Sequence, residues 1–162
     1  MAYRNFVEKN QQNLAFVINM HSNGNAFIYP FNGRSENDIE KRRPGILGIF
    51  KKISDEAPFQ PNTLKGTSKQ VMGITVGGDQ DDWTLAQTGV PSVTAEIGDA
   101  DQFIDEWQVQ DAKTANSITK AQSPWIEYVF QHLPEYKKII QDNAGKGEKP
   151  PSDAESTVNL LN

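Results

Sequence analysis

The sequence predicts an α/β fold, and three observations carry that reading. Two short apolar runs, Leu14-Ala15-Phe16-Val17-Ile18 and Val90 to Ile97, have the length and β-branched content of strands buried inside a sheet. Two other segments, Ile39 to Ile53 and Trp125 to Ile140, space their apolar residues as a helix does. The 162 residues include 8 Phe, 4 Tyr and 3 Trp, enough for one packed core, and no Cys to staple it.

Taken in order, the chain opens on helix-compatible residues around Phe6 and Val7, with no capping signal before them. The Leu14–Ile18 run is expected to be a strand buried on both faces, opening into a polar turn-forming loop from Asn19 to Asn25. A second strand, Ala26 to Tyr29, stops at Pro30. The helical face of Ile46, Leu47, Ile49, Phe50 and Ile53 begins near Pro44, a residue favoured in a first helical turn. Ala57 to Gly66, with two prolines, reads as a loop, and Val71 to Val76 as a weak apolar stretch. After Gly77-Gly78 and an acidic turn, Asp82 to Gln87 reads as a short helix and Val90 to Ile97 as the third strand. Asp99 to Gln110 is polar with some helical character. Trp125 to Ile140 is an amphipathic helix with Pro124 at its start, which Pro134 should kink or split. From Gly145 the composition turns to Gly, Lys, Pro, Ser and Asp, so one domain over residues 1–144 and a flexible polar tail over 145–162 are expected.

Composition excludes several function classes. Asp and Glu total 21 against 16 Lys and Arg, a net charge of -5, so no basic stripe is available to grip nucleic acid. Without Cys there is no thiolate zinc site and no cysteine nucleophile. No apolar run reaches the roughly 18 residues a membrane span needs, and Met1 to Asn5 does not open a secretion signal. A soluble acidic unit is expected, with its compartment left open.

Three features could carry chemistry. His21 stands where an apolar strand opens into a loop, either as a polar strand terminator or as a catalytic or metal-binding group. Glu96 closes Val93-Thr94-Ala95-Glu96-Ile97, where it either faces outward or is functional, because burying a lone charge is costly. Asp79, Asp81 and Asp82 fit a solvated turn and helix start beside Gly77-Gly78, without the ligand spacing of a calcium loop or the glycine pattern of a phosphate loop.

These pieces also have a familiar order. Ile18-Asn19-Met20-His21-Ser22, followed by a polar loop and Ala26-Phe27-Ile28-Tyr29-Pro30-Phe31, resembles the histidine motif of zinc carboxypeptidases related to carboxypeptidases A and B. Gly77-Gly78-Asp79-Gln80-Asp81-Asp82-Trp83 resembles that family's Gly-Gly-x-x-Asp-Trp turn, and Val93-Thr94-Ala95-Glu96-Ile97 its catalytic strand. The resemblance implies a partial mixed β-sheet flanked by helices, with zinc as cofactor and peptide C-termini as substrate. It makes His21 the last of three zinc ligands and Glu96 the general base, with Asn25 and Asp82 supporting the nearby loops. Asp81 would lie near the position that sets side-chain preference.

The chain also departs from the family pattern. No His-x-x-Glu precedes His21, and neither an upstream carboxylate-binding arginine nor the active-site tyrosine expected near Gly73 or Ile74 is present. His132-Leu133-Pro134-Glu135 has that spacing but lies late in the chain order, where it reads as a surface feature. The resemblance therefore implies the C-terminal part of a metallocarboxypeptidase domain, inactive alone, whose N-terminal part or a protein partner would complete it. The alternative is a non-catalytic pseudoenzyme, a structural or binding subunit of a larger assembly.

Overall fold

The computed structural model describes residues 2–22, 24–32, 36–98 and 112–147, and it is an α/β structure. In chain order the elements are α1 (Ala2–Asn10), β1 (Val17–Ser22), β2 (Ala26–Ile28), α2 (Glu36–Arg42), α3 (Ile46–Glu56), β3 (Leu64–Gly66), α4 (Ser68–Met72), α5 (Gln80–Thr88), β4 (Ser92–Ile97) and α6 (Ala112–Asp142). The strands form one mixed sheet in the order β1-β4-β2-β3. β1 runs parallel to β4, β4 antiparallel to β2, and β2 parallel to β3.

Side-chain alternation gives the sheet two unlike faces. Val93 and Ala95 of β4 and Phe27 of β2 turn into an apolar core with Ile49, Phe50 and Ile53 of α3 and Trp125, Val129 and Tyr136 of α6. Aromatic rings tie this core together. Phe27 meets Trp125 edge-on at 5.8 Å, Phe59 stacks on Trp125 at 5.4 Å, and Tyr29 stacks on Phe50 at 5.1 Å. Ser92, Thr94 and Glu96 alternate onto the opposite face. The core face therefore fixes β4, and through it whatever its polar face presents.

Several elements differ from the sequence reading. β1 begins at Val17 rather than Leu14, and it is half-buried to exposed rather than buried on both faces. It lies at one end of the strand order, with β4 its partner among the described residues. It also runs on through Asn19 to Ser22, because backbone pairing with β4 continues through residues that look loop-like in sequence. Ile39 belongs to α2, separated from α3 by a corner at Pro44-Gly45 where Gly45 takes a left-handed φ of 83°. The expected loop before Gly66 contains β3, and the stretch near Val71 begins as α4, whose Thr67 N–H donates to Gln70 Oε1 at 2.8 Å.

α6 starts well before Pro124 and is not split at Pro134. Both prolines are exposed, as are Lys120 and Phe130 four residues before them, so water can serve the carbonyls that lose their partners. Burial of Trp125, Val129 and Tyr136 along one face outweighs the two missing bonds. The segment from Asp99 to Gln110 and the tail beyond Gly147 lie outside the described residues. Gly147 itself is packed against Arg42 and Pro44 rather than detached.

Candidate active site

Parallel pairing of β1 with β4 sets His21 directly beside Glu96, as it sets Asn19 beside Thr94 and Val17 beside Ser92. Neighbours in register project to the same side of a sheet. His21 Nδ1 lies 3.6 Å from Glu96 Oε1, with the His21 side chain 50% exposed and that of Glu96 20%. This is within charge-interaction range and too long for a hydrogen bond. On its other side Glu96 pairs with Ala26 of β2, so backbone pairing holds it from both flanks. Gly24 makes room above it, since a Cβ there would stand 3.1 Å from Glu96 Cβ. Burial pushes the Glu96 carboxyl above its ordinary range, while neighbouring His21 pulls it back down.

Beneath this pair the same face is closed by α5. Asp81, completely buried, accepts hydrogen bonds from Ser92 Oγ at 2.6 Å and from Thr94 Oγ1. Burial raises the Asp81 carboxyl, and the hydroxyl bonds from Ser92 and Thr94 oppose that rise. The expectation of a solvated acidic turn therefore fails for Asp81. It sits one turn before Thr84 and Leu85, both also buried, so the inward face of α5 includes it.

α5 is set by its own N-terminus. Asp79 caps it by accepting from the Asp82 N–H at 2.7 Å. Asn32 then joins three elements: its N–H donates to Asp82 Oδ1 at 2.8 Å and its Nδ2 to Asp79 Oδ2 at 2.6 Å, while its Oδ1 accepts from the Ser68 N–H at 2.8 Å. Asp82 thus acts on the loop after β2. Asn25, at a left-handed φ of 44°, accepts from Thr63 Oγ1 at 2.8 Å and donates to the Pro61 carbonyl at 3.3 Å, bracing the loop that leads into β3.

His132 and Glu135 are engaged elsewhere. His132 Nδ1 bonds the Tyr128 carbonyl at 2.7 Å and its ring stacks on Tyr128, while Glu135 pairs with Lys52 at 2.7 Å. Gly73 caps α4 and Ile74 is exposed. The sequence reading did not single out Gly24, Asn32 or Thr94, and it read Asp81 as solvated where it is buried. A signal existed for one group of them, because Ser92, Thr94 and Glu96 alternate as polar residues along an otherwise apolar strand.

The mixed four-stranded sheet with helices packed against it defines an α/β scaffold that sets an imidazole and a carboxylate side by side on paired parallel strands. Residues 1–121 match the family model of the zinc carboxypeptidases, three quarters of the chain, and the chain belongs to that family. No curated protein matches it. Among the described residues no three His, Asp or Glu side chains gather around a metal-sized point, so they do not form a closed three-ligand zinc site.

Proposed function

We propose that the His21–Glu96 edge is part of a metallocarboxypeptidase reaction centre, with His21 as one zinc ligand and Glu96 as general base. The observation that supports this reading most is the in-register pairing that sets the two side chains 3.6 Å apart at the ends of β1 and β4. Zinc, when bound, supplies Lewis-acid activation of water and of the scissile carbonyl. Glu96 takes a proton from the attacking water and returns it to the departing amine nitrogen, which frees a C-terminal residue from a peptide. Its partly buried carboxyl, raised by desolvation, is a better proton acceptor than an ordinary surface glutamate. A single imidazole holds zinc weakly, so residues 1–162 alone are expected to bind it reversibly and to turn over no peptide.

The test is a zinc titration of the full chain followed at the imidazole resonances of its two histidines, alongside hydrolysis of peptides with free and amidated C-termini. Zinc should move the His21 resonance and leave His132 unchanged, and His21→Ala should abolish the effect. Zinc acting at His132, or turnover that survives Glu96→Gln, would refute the assignment. No response at either histidine would leave the non-catalytic subunit as the reading that stands.

A further inference from the structure

We propose that the cavity at the amino end of β4 binds a small organic carboxylate, with Arg43 as its anion-recognising group. The cavity is about 170 Å³ and is walled by Arg43, Ile46, Thr88, Gly89, Ile140 and Asn143. A void of ~150 Å³ holds a benzene, so about six to eight heavy atoms fit here. The site is independent of the His21–Glu96 reading, since β4 from Ser92 to Glu96 separates the two by about 13 Å of strand.

The chemistry of the walls selects the ligand. Arg43 Nε donates to the Leu85 carbonyl at 3.0 Å, and Nη2 donates to the Ala86 carbonyl. Those bonds use two of the five N–H donors of a guanidinium. Among the described residues no carboxylate pairs with Arg43, and the adjacent Arg42 adds a like charge. A half-buried cation in that position is stabilised by an anion that reaches its remaining donors in the forked geometry a carboxylate offers. Ile46, Ile140 and Pro44 supply an apolar wall, which favours a short hydrocarbon portion over a bare oxyanion.

The cavity is also preformed. At Gly45, with φ of 83°, an added Cβ would stand 3.0 Å from Asn143 Nδ2, and at Gly147 one would stand 2.4 Å from the Arg42 carbonyl oxygen. The α2–α3 corner and the end of α6 therefore approach at backbone distance, which fixes the gap between them.

The experiment is a titration of the isotope-labelled full chain with isovalerate, followed by NMR, with isovaleramide and inorganic phosphate as comparators. Isovalerate should give saturable millimolar shifts at the Arg43 Nε–H and the Gly89 and Gly145 amides, with both comparators weaker by about tenfold or more. Arg43→Gln should abolish the response. Because Arg43 also caps α5, Ile140→Trp is the second variant: it fills the cavity, keeps the guanidinium, and should abolish binding equally. Absence of saturable shifts at those positions, equal response to either comparator, or binding that survives Ile140→Trp would overturn the proposal.

Discussion

Asp81→Asn removes a charge while keeping the shape of a side chain with no exposed surface, so it separates two opposing contributions. The carboxylate accepts from Ser92 Oγ and Thr94 Oγ1, and bonds to a charged acceptor contribute about 1.5–3 kcal/mol each. Asn keeps one acceptor oxygen and offers an N–H to the other hydroxyl, so most of this geometry survives. Against those bonds runs the cost of holding a charge away from water, which is the larger influence on Asp81 and raises its pKa above 3.8. Folded protein then binds more protons than unfolded protein between the two pKa values. Stability accordingly falls as pH rises through that window, by about 1.4 kcal/mol per pH unit, and is flat on either side of it. Asp81→Asn carries no such slope. The stability of the native protein minus that of the variant should therefore decrease from about pH 4 upward and then level off. Urea unfolding of both proteins, followed by circular dichroism from about pH 3 to about pH 7, measures the difference directly. A difference that stays constant or grows with pH would refute the claim that burial dominates at Asp81.

Three further outcomes follow from the packing. Trp125→Ala should cost about 3–5 kcal/mol by urea unfolding, because the fully buried indole meets Phe27 and Phe59 and donates to Gln122 Oε1. Glu96→Gln should change stability by less than about 1 kcal/mol in thermal melts, since its partner His21 is half-exposed and solvent screens the pair. Glu135→Gln should likewise cost under about 1 kcal/mol and leave the zinc response of His21 unaltered, because the exposed Glu135 is occupied in pairing with Lys52.

Legibility of the fold from sequence followed how local each determinant is. β2, α5 and β4 were visible because their apolar runs and capping residues lie within a few positions of one another. α4 and β3 were not, since Leu64 to Gly66 has no strand pattern of its own and is assigned by pairing with Ala26 to Ile28. The part of β1 beyond Ile18 was hidden for the same reason: Asn19 to Ser22 are strand only because β4 lies alongside. At the candidate site, motif order placed His21 and Glu96 in one neighbourhood. The depth of Asp81 was hidden because an acidic cluster at a helix start ordinarily faces water, and only α5 lying against β4 turns one of its members inward.

Asp81 and Glu96 share one face of the sheet, and burial raises both carboxyls, yet their bonding separates them chemically. Asp81 has both oxygens engaged by the hydroxyls of Ser92 and Thr94 and no exposed surface, which puts it out of reach of an attacking water. Among the described residues no hydrogen bond holds the Glu96 carboxylate, and its nearest charged neighbour is His21 at 3.6 Å. A general base needs an unengaged lone pair, partial desolvation and access to the reacting proton. Its position must also be fixed by something other than its own side-chain bonds. Here the main chain supplies that fixation, because Glu96 is paired to His21 on one side and Ala26 on the other, while Val93 and Ala95 anchor the strand in the core. Of the two acids, only Glu96 combines a rigid backbone with a free, accessible carboxylate, and the proposed proton transfer therefore falls to it.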